Sequence, residues 1–223
     1  NDIDIAVGEA RNADDDGNLA LAVAVGKQID VSWAAGGTPG APTGGLSSSL
    51  TLTNDTWYHV HLILVSGTVE VGFDTSVVAA NFITDHSATK FRRIGSVRRG
   101  TATNLLFTQI GDEFLWNTVP ALLVDTATPG TTAVTLVVTV PTGVQVLAHL
   151  NVYMVNQAIY ISSTSVTDQA ASLAAAPLGS MMTAGGQVDV LTDTSAQVRY
   201  RVSANDTLRI TTYGWKDRRG KDD

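Results

Sequence analysis

Two runs of strict alternation between residues 133 and 155 constrain the fold more than any other feature of this sequence. The first run ends at Pro141-Thr142-Gly143, and its alternating apolar residues are Val134, Leu136, Val138 and Val140. Those of the second run are Val144, Val146, Ala148, Leu150, Val152 and Met154. Since successive side chains of a strand point to opposite faces, each run predicts a strand with one apolar face. Two such runs joined by a short Pro/Gly turn predict an antiparallel hairpin.

The second face of the later strand is neither plainly core nor plainly solvent. Its members are Gln145, Leu147, His149, Asn151 and Tyr153. This set is too apolar for a purely solvated face and too polar for a core. We therefore predict that it is a subunit contact. In a monomer, this face would need a covering loop or helix, for which Thr167–Ala176 is the candidate.

Short apolar segments separated by turn residues continue along the rest of the chain. The predicted strands are Ile3–Val7, Leu19–Val31, Trp57–Val65, Val69–Phe73, Phe91–Val97, Leu105–Ile110, Phe114–Trp116, Ala158–Ser162, Gln187–Leu191, Gln197–Ser203 and Leu208–Trp215. Such segments at a spacing of roughly 8–12 residues predict an all-β fold, an antiparallel sandwich or jelly-roll-like architecture. The one good helical segment, Thr167–Ala176, ends before Pro177. The Gly/Pro/Ser-rich segment Ala35–Ser49 is predicted to be a loop, too poor in apolar residues to enter the core.

A domain boundary is predicted near residue 118. Asn117–Pro120 and Thr126–Thr132 contain prolines and glycine that would interrupt a strand ladder. We therefore expect one or two sandwich domains, the two-domain division being 1–118 and 119–223.

The composition excludes some classes of protein and favours others. Apolar residues make up 44% and charged residues only 16% of the 223 residues, and this low surface charge suits a chain that buries itself against other subunits. The net charge of −7 disfavours nucleic acid as a partner, and the absence of cysteine excludes disulfides and thiolate metal sites. The apolar stretches are too short to cross a bilayer, so we expect no membrane insertion.

Candidate catalytic and metal sites are sparse. His59 and His61 lie two apart on a predicted strand, a spacing at which both imidazoles could bind a transition metal, but no third ligand lies nearby in sequence. We therefore expect no metal and no cofactor. His86 stands beside Asp85, yet no Gly-x-Ser-x-Gly motif surrounds a serine, so we expect the chain not to be an enzyme.

Two features point towards carbohydrate. Trp33 borders the Gly-rich loop, where an exposed indole would stack on a sugar ring, whereas a buried one would be a core or interface anchor. Arg92, Arg93, Arg98 and Arg99 form an unusual cluster in so weakly charged a chain. We expect these arginines to pair with Asp112, Glu113 or a neighbouring subunit, the alternative being an anionic glycan. The residues predicted to bind glycan are Trp33, Arg98 and Arg99. On a regular strand Arg92 and Arg93 would face opposite ways, so no single basic stripe is expected.

An ordered series of short motifs resembles proteins encoded by tailed phages, prophages and gene-transfer-agent-like particles. The motifs are Asn1–Ala6, Gly8–Arg11, Ala34–Gly37, Trp57–Ile63, Val71–Ser76, Phe91–Ser96, Phe107–Phe114, Ile159–Ser162 and Thr192–Gln197. Together they cover nearly the whole chain.

This resemblance implies a virion part similar to the distal portion of a tail fibre or a related appendage, typically a homotrimer. Its implied partners are other copies of itself, other virion proteins and the host cell-surface polysaccharide. The resemblance carries over no catalytic residue. The alternative is a purely structural capsid, head-fibre or baseplate protein that has no receptor role.

Overall fold

The computed structural model describes residues 1–172, 180–182 and 185–219. Strands make up 51% and helix 3%, and several antiparallel sheets pack together, so the predicted all-β, sandwich-like class is confirmed. The chain forms two compact units. Unit 1 comprises Asn1–Leu105 with Arg219, and unit 2 comprises Leu106–Arg218.

Unit 1 is built on a six-stranded sheet with a separate hairpin and a short helix. Its elements are β1 (Asp2–Ile5), β2 (Gly8–Arg11), β3 (Asn18–Leu21), β4 (Val25–Ser32), β5 (Thr43–Leu46), β6 (Trp57–Val65), β7 (Thr68–Asp74), α1 (Ala80–His86) and β8 (Lys90–Arg98). The order in the sheet is β1-β4-β5-β7-β6-β8, and β2 pairs only with β3. The predicted hairpin of β6 and β7 is confirmed, with Ser66 and Gly67 at positive φ in its two-residue turn.

The Gly-rich segment enters the core, contrary to its prediction as a loop. β5 runs parallel to both of its neighbours, and Gly44, Gly45 and Leu46 are buried. A Cβ on Gly45 would lie 2.5 Å from the Phe73 ring, and one on Gly44 would lie 1.8 Å from the Ser32 carbonyl oxygen. Glycine is therefore what allows this strand to fit, because the backbones and the Phe73 ring approach too closely for any side chain.

Helix α1 closes one side of the unit 1 sheet. Phe82 is fully buried and forms a core cluster with Ile63 of β6, Ala79 and Ala88. The fully buried carboxylate of Asp74 accepts hydrogen bonds from the amides of Ser76 (2.8 Å) and Asn81 (3.0 Å), which joins the helix start to the end of β7. The sequence of α1 carries no strong helical periodicity, and no helix was predicted there.

Unit 2 consists of two sheets. Its strands are β9 (Phe107–Ile110), β10 (Glu113–Trp116), β11 (Val124–Thr126), β12 (Val134–Val137), β13 (Leu147–Met154), β14 (Gln157–Ser163), β15 (Ser180–Met182), β16 (Gly185–Leu191), β17 (Gln197–Val202) and β18 (Leu208–Lys216). The first sheet has the order β16-β13-β18-β10-β9, with β11 also paired to β18, and the second has the order β12-β17-β14-β15. Their buried faces carry alternating apolar residues, such as Leu150 and Val152 on β13 and Val198 and Val202 on β17.

The predicted hairpin between residues 133 and 155 is wrong, although both of its strands form. β12 pairs with β17, whereas β13 pairs with β16 and β18 in the other sheet. Residues 138–146 lie outside any strand and carry the chain across, with Val138, Val140 and Val146 buried on the way. Alternation determines the face of the strand on which a residue lies, but it does not determine which strand pairs with it. Here the two strands join different sheets.

Two further predictions differ from the structure. The hairpin of β9 and β10 belongs to unit 2 because β10 pairs with β18, so the division falls after Leu105 rather than at the predicted boundary of 118 and 119. The helix predicted over Thr167–Ala176 is not formed in its described part, 167–172, and the rest of that segment lies outside the described residues.

Candidate functional site

The outward side of the first unit 2 sheet, here called the His149 face, combines apolar and charged side chains. Strand pairing aligns one row across β16, β13, β18, β10 and β9. Its members are Leu191, Leu147, Lys216, Glu113 and Ile110. Leu191 and Ile110 at the two ends are 44% and 65% exposed, so apolar side chains face outward at both ends of the row.

A cluster of ionisable groups lies beside this row. The ring of His149 is buried, and its Nδ1 lies 2.7 Å from Oδ1 of Asp189 on β16. Its Nε2 lies 2.6 Å from Oε2 of Glu113 on β10, and Glu113 also contacts Nζ of Lys216 at 3.1 Å. Tyr213 stacks against the imidazole with the ring centroids 5.5 Å apart. One histidine on β13 thus bridges to strands on both sides of it.

The imidazole of His149 has a carboxylate on either side. Each of its two ring nitrogens lies within hydrogen-bonding distance of a carboxylate oxygen, of Asp189 on one side and of Glu113 on the other. Burial opposes ionisation of Glu113, but hydrogen bonds from His149 and Lys216 outweigh it and lower the pKa of this carboxyl. Burial, with Asp189 and Glu113 nearby, raises the pKa of the Tyr213 hydroxyl. The cluster is therefore a connected set in which His149, Glu113, Asp189 and Lys216 each have a polar partner.

The five residues predicted as a subunit contact differ in their exposure. Gln145 and Tyr153 are exposed, Leu147 and Asn151 are half-buried, and His149 is buried under its carboxylate partners. A shallow groove of about 380 Å³ runs along Asn151 and Tyr153 and is also lined by Leu122, Gly185, Gln187, Arg209 and Thr211. The segment proposed to cover this face does not do so in its described part, since Asp168 bonds to Arg201 on the other sheet at 2.8 Å. The role of the face as a subunit contact stays a prediction.

Trp33 packs into unit 1 rather than standing out as a free platform. Its indole Nε1 donates to the Val71 carbonyl oxygen at 2.9 Å, and its ring packs edge-on against Phe82 and tilted against His86. The Lys27 ammonium lies 5.4 Å from the ring centroid. The side chain is half-buried, so only part of the indole is available for stacking on a sugar.

Arg98 and Arg99 have separate structural partners. Arg98 lies 3.8 Å from the Asp55 carboxylate, and Arg99 is buried, donating to the Ala102 carbonyl oxygen at 2.5 Å and to Asn1. The contacts described for these two arginines do not include Trp33. The expected pairing of the arginine cluster with Asp112, Glu113 or a neighbouring subunit stays a prediction. The contacts described for Glu113 are those with His149 and Lys216.

His59 and His61 are neighbours, but they are buried among groups that do not suit a metal. His59 Nδ1 lies 2.9 Å from the Ser96 hydroxyl, and His61 Nε2 donates to the Ser76 carbonyl oxygen at 3.0 Å. Burial lowers the pKa of His61 to about 3, which keeps the ring neutral. Within residues 1–172, 180–182 and 185–219, no group of three or more His, Cys, Asp or Glu side chains could hold a metal ion.

A serine and a histidine meet beside α1 without forming a catalytic triad. The hydroxyl of Ser48 lies 3.2 Å from Nε2 of His86. The Asp85 carboxylate accepts from the Ser47 hydroxyl (2.7 Å) and the Ser49 amide (2.8 Å), and so it anchors the segment after β5 to the helix. In a triad, a carboxylate orients the imidazole through its other nitrogen, a role that Asp85 does not fill here.

Sequence reasoning missed the partners of His149 and the surroundings of Arg92 and Arg93. Alternation placed His149 on the second face of β13, but Glu113 and Asp189 lie 36 and 40 residues away in the chain. Nothing local in the sequence marks those two carboxylates as its partners. Arg92 and Arg93 both line one groove together with Arg11.

Comparison of the chain with protein-family models, with curated proteins and with solved structures finds no match. The fold therefore defines an all-β protein of packed sheets, and its function rests on the geometry described above. No helix in the described part of the chain is long and apolar enough to cross a membrane.

Proposed function

We propose that this chain is a structural component of a tailed phage or phage-like particle, an appendage protein that assembles as a homotrimer and presents its loops to a host-surface polysaccharide. The observation that carries the proposal is the His149 face, where exposed apolar side chains lie at both ends of a row that includes the paired groups of Glu113 and Lys216. Buried interface centres are rich in aromatic and aliphatic groups, and charges there must be paired. The face offers both, since His149 contacts the carboxylates of Glu113 and Asp189, and Lys216 pairs with Glu113.

The occupant proposed for this face is a second copy of the chain. A cyclic homo-oligomer must join complementary surfaces of one and the same subunit. The apolar ends of the aligned row at Leu191 and Ile110, together with Tyr153 and Leu122 along the groove, supply surface for such a contact. The low charge of the chain, 16%, supports assembly as well. The motifs that resemble phage proteins support assembly as a trimer and a location on a virion.

Three weak polysaccharide sites in one particle would act together. Linking sites raises the effective concentration for the second and third contacts without any new interaction, which suits reversible attachment to a cell. The proposal assigns no enzymatic role and no cofactor.

The oligomeric state tests the assembly directly. Light scattering after size exclusion should give three times the chain mass of 23.4 kDa. Leu191→Lys should convert the trimer into monomer, because it places a charge in the contact. Val137→Lys is the matched control, since Val137 is 56% exposed on β12 of the other sheet. A wild-type monomer would overturn the proposal.

Attachment is tested separately, with labelled protein on whole host-type cells and on glycan arrays. Binding to a susceptible envelope supports the adhesive role. A stable trimer that binds no envelope would overturn the adhesive role and favour a purely structural capsid, head-fibre or baseplate protein.

A further inference from the structure

The shallow groove of about 380 Å³ on unit 2 crosses three neighbouring strands, and we call it the Tyr153 groove. In the sheet, β13 lies between β16 and β18. Strand pairing produces two adjacent rows, whose members in the order β16, β13, β18 are Gln187, Asn151, Thr211 and Gly185, Tyr153, Arg209. Residues directly opposite each other in paired strands share a face of the sheet. The groove therefore places a row of neutral polar side chains next to an aromatic ring.

The ring of Tyr153 is covered on one side and open on the other. On the β18 side, Cζ of Arg209 lies 5.9 Å from the ring centroid. On the β16 side, the residue opposite Tyr153 is Gly185, which has no side chain to cover the ring. The nearest atom described for a Cβ on Gly185 is the Val152 carbonyl oxygen, at 3.7 Å, so the space beside this glycine is not filled by other described residues. Tyr153 is 37% exposed and thus presents aromatic surface to a ligand.

Two side-chain amides lie in the row beside the ring. Asn151 is half-buried and Gln187 is exposed. In the part of the chain that the structure describes, neither amide has a hydrogen-bond partner. The Thr211 hydroxyl donates to the Pro120 carbonyl oxygen at 3.0 Å, which leaves its oxygen able to accept. Because an amide both donates and accepts, as a sugar hydroxyl does, this row offers the hydrogen-bonding groups that a neutral sugar requires.

The groove carries little net charge. Arg209 is the only charged residue that the structure describes along it, and its Nε lies 2.9 Å from Oδ1 of Asp125. Asp125 is opposite Arg209 in the pairing of β11 with β18. With this cation paired and a net charge of −7 on the whole chain, the groove has no excess of positive charge that would select an acidic sugar.

We propose that the Tyr153 groove binds a neutral polysaccharide, with one pyranose ring stacked on Tyr153 and neighbouring hydroxyls bonded to Asn151 and Gln187. A pyranose has apolar C–H faces and polar hydroxyl edges, so it matches an aromatic ring flanked by amides. The volume lies at the lower end of the usual range for small-ligand sites, which suits a short stretch of sugar chain. This inference rests on the proposed adhesive function and names its site and ligand class. It replaces the unit 1 residues predicted from the sequence, which were Trp33, Arg98 and Arg99.

The inference divides the His149 face between two roles. Leu147 belongs to the row proposed as the contact between copies, and it is six residues from Tyr153 on β13, or about 20 Å along the strand. The contact between copies then rests on the row that ends at Leu191 and Ile110, whereas Tyr153 contacts the ligand. Both roles fit on one face because they use opposite ends of β13.

The test is isothermal titration of the full chain with three neutral pentaoses of different linkage, cellopentaose, maltopentaose and laminaripentaose, and with oligogalacturonate as the acidic probe. At least one neutral sugar should bind, and more tightly than oligogalacturonate. Tyr153→Ala should weaken this binding about tenfold or more, because the stacking surface is lost, whereas Tyr153→Phe should keep most of it. Tyr160→Ala is the matched control, since Tyr160 is a half-buried tyrosine of β14 in the other sheet. Circular dichroism checks that the variants fold.

A second variant tests the amide row. Gln187→Ala should weaken the binding of the neutral sugar about threefold, because it removes one hydrogen-bonding group from the groove. Gln187 is exposed, so its removal leaves the core packing unchanged. Gln145→Ala is the matched control, since Gln145 is also exposed and does not line the groove. Equal affinities in the two variants would remove the amide row from the site.

The outcomes separate this inference from the proposed function. Binding of no neutral sugar, binding of oligogalacturonate alone, or unchanged binding in Tyr153→Ala would overturn the groove. Conversion of the trimer into monomer by Tyr153→Ala would also overturn it, because Tyr153 would then belong to the contact between copies. A trimer that attaches to cells but binds none of these sugars leaves the proposed function standing. A wild-type monomer that binds a neutral sugar through Tyr153 supports the groove by itself.

Discussion

Units 1 and 2 differ in the polar side chains that they place in the core. In unit 1 two charged residues, Lys27 and Asp74, are completely buried, and each holds a connecting segment in place. In unit 2 the corresponding internal contacts come from neutral hydroxyls, since completely buried Thr192 and Thr212 bond to the backbone of Val146 and Thr139, and the ionisable cluster centred on His149 lies on the outer side of a sheet. The comparison teaches that charges buried in unit 1 support its fold, whereas unit 2 ties its segments with neutral groups.

The Lys27–Glu70 pair is the strongest case of internal polarity. The Lys27 ammonium donates to the Ala34 carbonyl oxygen at 2.5 Å and lies 3.6 Å from Glu70, whose carboxylate accepts from the Gly36 amide at 3.0 Å. Burial lowers the pKa of Lys27, and the charge of Glu70 opposes that shift. The pair thus ties the Gly-rich segment after β4 to the sheet.

Lys27→Met should therefore give the largest loss of stability. It leaves the nearly buried Glu70 carboxylate unpaired, for which about 3–5 kcal/mol is the usual cost. Urea unfolding measures the loss, and hydrogen exchange should place it in the segment from 34 to 44. Lys27→Met combined with Glu70→Leu should recover much of it. Loss below about 1 kcal/mol in the single variant would contradict the importance of internal polarity in unit 1.

Packing around β5 gives the next effect. Gly45→Ala should cost about 1–3 kcal/mol, because its Cβ would lie 2.5 Å from the Phe73 ring and 3.0 Å from Lys27 Cβ. Gly95→Ala is the matched control, since a Cβ at buried Gly95 of β8 meets nothing within 4 Å. Thermal unfolding of both variants checks the prediction. An equal shift in melting temperature would show that β5 is not tightly packed.

Acidification should destabilise unit 1 through His61. Its folded-state pKa of about 3 lies below the ordinary value of 6.5, so the unfolded chain takes up the proton first. The stabilising contribution is complete above pH 6.5 and is lost as the pH falls towards 3, by at most about 1.4 kcal/mol per pH unit. His61→Gln should flatten that part of the pH dependence in urea titrations at several pH values. An unchanged slope would mean that His61 is accessible to protons in the folded state.

His149→Leu should have the smallest effect on folding. The carboxylates it releases are 37% exposed at Glu113 and 53% exposed at Asp189, so water can solvate both, and a loss of about 1 kcal/mol is expected. Glu113→Gln added to His149→Leu should restore part of that loss by reducing repulsion. Denaturant unfolding measures both variants. A loss as large as that of Lys27→Met would show that the cluster supports the fold of unit 2.

The local alternation of apolar and polar residues was enough to predict most strands and the buried face of β13. Alternation identified β13 and its buried residues Ala148, Leu150, Val152 and Met154, and the Ser66-Gly67 turn identified the β6–β7 hairpin. Alternation did not predict β5, because its glycines give no apolar alternation. It did not predict α1 either, because that short helix is stabilised by contacts with Asp74 and by the packing of Phe82 rather than by a local sequence pattern. The strand partners of β12 and β13 were also beyond local pattern.

The sequence by itself determined the all-β class, the two faces of each strand and the mixed character of the face around His149, since these follow from side-chain alternation over a few residues. Only the tertiary structure decided which strands pair, where the units divide, and that Ile94 is an extra, unpaired residue in the ladder of β6 and β8. Tertiary structure alone also brought Glu113 and Asp189 to His149. The reason is physical: periodicity is set by neighbouring residues, whereas pairing and bulges depend on packing energies summed over residues far apart in the chain.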